Sequence, residues 1–194
     1  MDKKSGGKGM RLVILGAGGH GCMVASIAES MKKYDKIIFL DDHYIINKVE
    51  QLEYGPAKIK NVICGKCSEY AKYIDKNTEI YPAFGNNETR LKWQNEIVKN
   101  GGQLPTIIHS SSLVSKNCEI KEGSIVFQNV TINSGCVIER GCIINTGTII
   151  DHGCHICTGV HINIGAIVMA ENKIPPYTNI NAGQIVGWRY WPVN

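Results

Sequence analysis

The chain has 194 residues, a formal net charge of +4 at pH 7 and eight cysteines. This length suits one large domain or two small ones, and no apolar run approaches the roughly 20 residues that a helix needs to span a bilayer. The charged N-terminus passes directly into a predicted strand and does not resemble a signal peptide. We therefore expect a cytoplasmic protein without a membrane span.

A short basic cluster stands near the start of the chain and consists of Lys3, Lys4, Lys8 and Arg11. No basic stripe interleaved with aromatic residues accompanies it. Such a cluster is typical of a solvated terminus rather than of a nucleic-acid-binding arm. We expect no nucleic acid among the partners.

A strand, a glycine-rich loop and a helix open the first half of the chain. Apolar spacing predicts the strand over 11–15 and the helix over about 22–32, with Gly16-Ala17-Gly18-Gly19-His20-Gly21 between them. A second strand at 36–40 ends in Asp41-Asp42. This order is typical of a Rossmann-like nucleotide-binding domain, in which the glycines admit a diphosphate, the helix N-terminus attracts it, and the acid binds the nucleoside.

The loop also fits the G-x-G-x-x-G fingerprint of NAD-binding proteins, which is a weak signal by itself. The segment that follows is too short for a six-stranded dinucleotide fold with a catalytic domain. A sugar nucleotide is therefore favoured, and an NAD-dependent enzyme stays as an alternative.

A second turn with ligand-binding potential follows a predicted strand at 79–84. The turn reads Gly85-Asn86-Asn87-Glu88 and opens a helix that runs to about Lys99. Ligands of open α/β sheets bind at the carboxyl ends of the strands, so this turn is a candidate part of the nucleotide site. Asn87 is equally a candidate N-cap of the helix.

The domain boundary is predicted near Ser110. A helix is expected at 68–74, Gly101-Gly102 ends the following helix, and residues 105–109 form an extended linker. The two predicted domains are residues 1–109 and residues 110–194.

Aliphatic residues recur at every sixth position through the second domain. A glycine stands three residues after most of them, and a small side chain stands four residues after. Because one aliphatic per hexad fills a narrow triangular interior and a glycine relaxes each corner, the pattern predicts a left-handed parallel β-helix with three hexads per coil. The aliphatic positions are Val114, Ile120, Val126, Ile132, Ile138, Ile144, Ile150, Ile156, Ile162, Val168, Ile174, Ile180 and Val186.

Two pairs of cysteines, Cys64/Cys67 and Cys154/Cys157, have the spacing of redox or zinc ligands. Neither pair has the second pair of ligands that a structural zinc site requires, and Cys154 occupies a hexad position explained by packing. We expect no metal.

The glycine loop with its histidine, Phe39-Leu40-Asp41-Asp42, Gly85-Asn86-Asn87-Glu88 and the hexads together resemble the bacterial nucleotide-sugar acetyltransferases. These enzymes N-acetylate UDP-4-amino-sugars and are relatives of the sialic acid O-acetyltransferases. The resemblance runs from about residue 10 to residue 186. It implies a small domain that holds the nucleotide sugar, a β-helix that holds acetyl-CoA, and a homotrimer with active sites between subunits.

The resemblance also implies site residues. Residues expected against the phosphates, the base and the sugar-nucleotide cleft are, in that order, Gly18, Gly19 and His20; Asp41 and Asp42; and Gly85, Asn86 and Glu88. The family's general base is a histidine seven residues after an asparagine, which corresponds to His152 after Asn145. His161, nine residues further on, and Gly183 are expected at the acetyl-CoA site.

Two departures from the family pattern stand in the β-helix. The family's carboxylate directly after the base is replaced by Gly153, with Asp151 on the other side of the histidine. Against the family pattern, the β-helix is predicted to be about one coil shorter, and the chain continues as Trp188-Arg189-Tyr190-Trp191 in place of the usual tail.

The function indicated is acetyl-CoA-dependent N-acetylation of the 4-amino group of a UDP-linked sugar, with His152 as general base. Sugar O-acetylation by the same fold and a non-catalytic trimeric sugar-nucleotide-binding protein stay as alternatives.

Overall fold

The computed structural model describes residues 9–43, 51–54 and 57–191. Lys3, Lys4 and Lys8 of the basic cluster lie outside these residues. None of the described helices is long and apolar enough to cross a membrane.

The N-terminal unit is built on a three-stranded parallel sheet. Its strands are β1 (Arg11–Leu15), β2 (Lys36–Leu40) and β5 (Thr78–Pro82), in the order β2-β1-β5. Helix α1 (Gly19–Ser30) connects β1 to β2, so the predicted strand–loop–helix–strand order is confirmed. The helix begins three residues earlier than expected, inside the glycine loop itself.

The remaining elements of this unit lie between β2 and the β-helix. An antiparallel hairpin that the sequence did not predict consists of β3 (Gln51–Tyr54) and β4 (Ala57–Val62). The helix expected at 68–74 is a 3₁₀ helix over Cys67–Tyr73. Helix α2 (Asn87–Lys99) follows β5 and ends before Gly101, whose φ is +82°.

The second half of the chain is a parallel β-helix. Among the described residues it has fourteen two-residue strands, and each of the first eleven pairs with the strand 18 residues further on. The first face contains Ile107–Ile108, Ile125–Val126, Ile143–Ile144, His161–Ile162 and Asn179–Ile180. The second face contains Leu113–Val114, Thr131–Ile132, Ile149–Ile150, Ile167–Val168 and Ile185–Val186. The third face contains Glu119–Ile120, Val137–Ile138, His155–Ile156 and Lys173–Ile174.

This architecture is consistent with the left-handed parallel β-helix that the hexads predict. The first strand, Ile107–Ile108, pairs with Ile125–Val126, so the hexad register starts at Ile108, one repeat before Val114 and within the segment expected to be a linker. We call the turns between the first and second, second and third, and third and first faces the first, second and third corners.

The corners repeat one backbone conformation. All eight glycines that follow the aliphatic positions by three residues have φ between +65° and +73°. Asn129, Glu171 and Tyr177 adopt the same left-handed conformation at equivalent positions, with φ of 55°, 57° and 60°. Glycine is therefore favoured at the corners because it has no Cβ penalty there, although other residues also occupy them.

The aliphatic positions fill the interior of the prism as predicted. From Val126 to Val186 they are buried in one continuous core, and only Val114 and Ile120 at the open end are partly exposed. We expect Ile144→Ala to lower the free energy of unfolding by about 2–5 kcal/mol, because it leaves a cavity in a stack that cannot collapse. Denaturant unfolding would measure this loss. Val137→Ala, on the outer side of the third face, should cost much less, and equal costs for the two variants would contradict the register.

The N-terminal unit covers the first face of the β-helix. The outward side chains of Ile107, Ile125 and Ile143 are fully buried and pack in one cluster with Leu12 and Ile14 of β1, among others. The two units therefore share a continuous core. His161 is the next outward position after Ile143 on this face, so it lies at their junction.

Candidate active site

The glycine loop presents open backbone to solvent between β1 and α1. Gly18 is the N-cap of α1, no side chain caps it, and the first turn of the helix contains no acidic residue. A Cβ at Gly18 would meet nothing within 4 Å, whereas one at Gly21 would lie 2.1 Å from the Gly16 carbonyl oxygen. The exposed side at Gly18 and Gly19 thus leaves helix N-terminal amides accessible to an anion, and Gly21 serves packing.

The two acids after β2 are held by backbone amides. Asp41 Oδ2 accepts from the Ala17 amide at 2.7 Å, and Asp42 Oδ1 accepts from the Cys67 amide at 3.0 Å. Burial raises the pKa of Asp41, but hydrogen bonds from the Ala17 and His43 amides outweigh it and lower the pKa below its usual value. The structure therefore places Asp41 against the glycine loop, where it fixes the loop's shape.

The turn after β5 divides its residues between two tasks. Asn86, and not Asn87, is the N-cap of α2, since its Oδ1 accepts from the Thr89 amide at 2.9 Å. Asn87 is buried and its Nδ2 donates to the Tyr177 carbonyl at 2.8 Å and to Asn179 Oδ1 at 3.1 Å. Gly85 stays exposed next to Asn86. The alternative interpretation of Asn87 as the cap is wrong by one residue.

Glu88 lies apart from the glycine loop in the described structure. It lines a groove between α2 and the third corner, together with Leu91, Lys92 and Tyr177. The predicted cleft residues are thus distributed over both sides of the start of α2.

Arg90 joins the N-terminal unit to the β-helix and was not predicted from the sequence. Its guanidinium is fully buried and donates to the carbonyls of Phe84, Gly85, Gly141 and Gly159, at 2.9–3.2 Å, and to Asn87 Oδ1. Gly141 and Gly159 are equivalent positions of the third corner in two successive coils. Arg90 therefore fixes α2 along that corner.

Gln94 extends the same arrangement by one helical turn. It is fully buried, and its Nε2 donates to the Gly123 carbonyl at 2.8 Å, one coil above Gly141. A signal was present in the sequence, because Asn87, Arg90 and Gln94 place polar groups at helical spacing on the face of α2 that carries Leu91 and Ile97.

Two histidines meet at the junction of the units. His20 of α1 stacks on Phe127 with ring centroids 5.8 Å apart, and His161 lies on the first face with a hydrogen bond to the Gly85 backbone. Burial, reinforced by the positive charge of Arg90, lowers the pKa of each histidine to about 4. Both Nε2 atoms are buried without a hydrogen-bond partner among the described residues. The structure thus groups His161 with His20 and Gly85.

We expect these two histidines to make the free energy of unfolding depend on pH. Unfolded histidines titrate near pH 6.5 and the folded ones near 4, so the unfolded state binds protons first as the pH falls. The free energy of unfolding is then fully present above pH 6.5 and decreases towards pH 4, by up to roughly 3 kcal/mol per histidine. Denaturant unfolding across this range measures the loss. His20→Phe keeps the ring stack and should flatten the dependence, and an unchanged slope in that variant would contradict the assignment.

His152 lies at the second corner and is exposed. Its Nδ1 is 3.0 Å from Asp151 Oδ1, which also accepts from the His152 amide at 2.7 Å and from Asn133 Nδ2 at 3.1 Å. These hydrogen bonds lower the pKa of Asp151. Asp151 therefore supplies the carboxylate contact that Gly153 cannot, and it orients the ring with Nε2 available as a base.

Asn145 and His152 do not meet within one chain. Asn145 lies at the first corner, where its Oδ1 accepts from the Thr146 amide at 2.8 Å, whereas His152 lies at the second corner. Gly183, with φ of +68°, belongs to the first corner as well. The second face therefore separates Asn145 and Gly183 from His152.

Comparison with known proteins assigns the fold to a family. Residues 82–181, more than half of the chain, match the family model described as GlmU-like, C-terminal hexapeptide. The chain belongs to the GlmU-like hexapeptide family. Residues 11–97 match the model of the PglD N-terminal domain.

Solved structures agree with this assignment. The acetyltransferase domain of PglB from Neisseria gonorrhoeae FA1090, in complex with acetyl coenzyme A, matches with a TM-score of 0.80 and 29% identity over 91% of this chain and 82% of that one. PerB from Caulobacter crescentus, in complex with CoA and GDP-perosamine, shares the fold with a TM-score of 0.69 and 20% identity over 93% and 90% of the chains. The resemblance predicted from the sequence is confirmed, and this member of the hexapeptide family is an acyltransferase.

Within the part of the chain that the structure describes, one cluster of possible metal ligands lies on the third face. The ligand atoms of Glu139, His155 and Cys157 are within 4.8 Å of one another. His155 Nε2 is 2.7 Å from Glu139 Oε1, and the Thr158 amide and hydroxyl both donate to Glu139 Oε2. Both carboxylate oxygens of Glu139 thus accept hydrogen bonds from neighbouring side chains and backbone. These hydrogen bonds are sufficient to explain why Glu139 and His155 lie together.

Proposed function

We propose that the chain transfers the acetyl group of acetyl-CoA to the 4-amino group of a UDP-linked sugar. In this proposal, a Rossmann-like domain (1–109) holds the nucleotide sugar, and a left-handed β-helix (110–194) carries the acyl transfer. The observation that carries the proposal is His152, exposed at a corner of the β-helix and oriented by Asp151. We place the reaction in the cytoplasm, with acetyl-CoA as co-substrate and no metal.

The nucleotide end of the substrate is assigned to the glycine loop. The exposed Gly18 and Gly19 backbone lies at the N-terminus of α1, and His20 follows in its first turn. Asp42 uses one carboxylate oxygen to accept from the Cys67 amide, and we assign its other oxygen to the base of the nucleotide. PerB was solved with GDP-perosamine, so the choice of uridine over guanosine needs a direct test.

The surface of the β-helix supports a trimer. The N-terminal unit covers the first face and α2 runs along the third corner, whereas the second face is left with outward Leu113, Ile149 and Ile185 exposed to 71%, 41% and 63%. Such an apolar stripe on an unpartnered sheet face favours burial against other copies.

A three-fold arrangement of second faces would also complete the site. If each second face turns towards the axis, the second corner of one subunit meets the first corner of the next. His152 of one copy then lies near Asn145 of its neighbour, beyond which Phe127 and His20 lead to the nucleotide domain. The separation of the two residues within one chain is therefore what an intersubunit site requires.

The proposed chemistry is direct transfer. The neutral sugar amine attacks the thioester carbonyl, and the amine proton passes to His152 Nε2 as the C–N bond forms. The tetrahedral intermediate collapses with cleavage of the C–S bond, and the departing thiolate takes up the proton. Positioning both substrates in one cleft and accepting the proton supply the acceleration.

A thiol-release assay tests this function. We expect CoA release from acetyl-CoA in the presence of a UDP-4-amino-sugar, with less from its GDP counterpart and none from a UDP-sugar that has a hydroxyl at C4. Release with the hydroxyl sugar alone would instead assign an O-acetyltransferase. Binding of both substrates without release would assign the non-catalytic protein, and a melting-temperature increase with NAD(H) but not with UDP-sugars would overturn the nucleotide-sugar assignment.

Gly18→Val provides a variant that separates the nucleotide site from folding. The position has open space around it and an ordinary φ of −72°, so the fold should accept the side chain. The added bulk should block approach of the diphosphate and lower UDP-sugar affinity at least roughly tenfold, about 1.4 kcal/mol. Calorimetry measures the affinity, and light scattering checks that the oligomer is intact. Unchanged affinity would move the nucleotide elsewhere.

A further inference from the structure

The aromatic tail after the last strand has two differently placed tryptophans. Trp191 packs against the core of the β-helix, and its amide donates to Asn172 Oδ1 at 2.8 Å, so this residue closes the end of the prism. Trp188 is 60% exposed at the preceding turn and does no such capping. Trp188 therefore presents an aromatic surface that does not serve as the cap.

Trp188 stands in the same column of the second corner as His152. The Glu171 amide donates to the His152 carbonyl at 3.0 Å, and the Arg189 amide lies 3.5 Å from the Ala170 carbonyl. His152, Ala170 and Trp188 are therefore equivalent positions in three successive coils. Since coils repeat at about 4.8 Å, Trp188 lies about 10 Å along the corner from His152.

Between them, the column carries no large side chain. Ala170 is small and buried, and it separates two large side chains that project from the same corner. Arg189 follows Trp188, with its guanidinium carbon 4.8 Å from the Trp188 ring centroid and its Nε 2.6 Å from Glu171 Oε2, which Nη2 also contacts. A cation is thus held next to an exposed aromatic face.

We propose that Trp188 and Arg189 bind the nucleotide end of the acyl-CoA. The inference rests on the proposed acyl transfer at His152. An acyl donor with its thioester at His152 can run its pantetheine arm over Ala170, which brings the adenine to the free face of Trp188 and the phosphates to Arg189. An indole offers the stacking surface that an adenine needs, and a guanidinium pairs with phosphate.

Two acyl donors test this assignment. Acetyl-CoA contains the nucleotide, whereas S-acetylpantetheine has the same thioester and arm without it. For Trp188→Ala we expect the KM for acetyl-CoA to rise about 5–150-fold, the equivalent of the ~1–3 kcal/mol of one base–aromatic stack. The kinetic constants for S-acetylpantetheine should not change. Trp188→Phe retains a stacking ring and should restore most of the affinity, and Tyr190→Ala, an exposed aromatic outside the column, serves as the control.

Equal losses with both donors, or no change with either, would overturn the inference. Loss of the oligomer in Trp188→Ala, measured by light scattering, would assign the residue to a subunit contact and also overturn it. Calorimetry with CoA separates this inference from catalysis. If the unmodified protein binds CoA but releases no thiol, the proposed transfer fails. A weaker CoA affinity in Trp188→Ala would then still support the assignment of Trp188 and Arg189 to CoA binding. If it neither binds CoA nor releases thiol, both proposals fail.

Discussion

Replacing His152 with alanine is expected to lower the turnover rate by about 10²–10⁴-fold, the range associated with loss of a positioned general base. The affinities for both substrates should change much less, because the proposed proton transfer takes place in the transition state. Steady-state kinetics with thiol release measures the first quantity, and calorimetry measures the second.

Asp151→Asn is the companion variant, because Asp151 Oδ1 lies 3.0 Å from His152 Nδ1. The amide keeps the size of the side chain but no longer fixes the ring tautomer through a carboxylate. We expect a turnover between those of the parent protein and His152→Ala. His155→Ala is the control for a histidine outside the proposed site, since His155 is bound to Glu139 on the third face. Near-normal turnover in His152→Ala would remove this residue from the mechanism.

Replacing Arg90 with methionine is expected to lower the free energy of unfolding by at least about 3 kcal/mol. Methionine fills much of the volume, but the carbonyls of Gly141 and Gly159 lose their donor in a buried environment, and those of Phe84 and Gly85 lose it in a partly buried one. Each buried acceptor left without a partner costs about 1–3 kcal/mol, and relief of the buried charge offsets part of the sum.

Lys92→Met on the exposed side of the same helix controls for the change of charge and should alter stability by no more than about 0.5 kcal/mol. Denaturant unfolding gives both values. If the two variants were equally stable, the hydrogen bonds to the third corner would have no energetic role. Because Arg90 also holds the Gly85 carbonyl, we expect weaker UDP-sugar binding in Arg90→Met even where the protein remains folded.

The period of six determined the β-helix before any contact was known. Ile138, Ile144 and Ile150 could be assigned to the interior because each coil places one aliphatic per face inward, and that requirement is local and repeats along the chain. The glycine loop and the acids after β2 were recognisable for a similar reason, since a strand–loop–helix unit is encoded in about thirty consecutive residues.

The contacts between units depended on tertiary structure. Nothing in the spacing of Asn87, Arg90 and Gln94 indicates that their partners are backbone carbonyls of the third corner, because a polar side chain on a helix does not specify what will pack against it. The same holds for His161, whose burial beside His20 results from the docking of the N-terminal unit on the first face.

His152 combines both sources of information. Its spacing from Asn145 made it the candidate general base. The family pattern pointed to position 153 for the carboxylate, whereas in the structure His152 contacts the preceding residue, Asp151. Only the structure decides that the preceding residue provides this contact and that Asn145 lies at another corner of the same chain. The physical reason is that sequence spacing fixes a residue's place along a β-helix coil, whereas the partners across a corner, a domain junction or a subunit boundary depend on how separate surfaces pack.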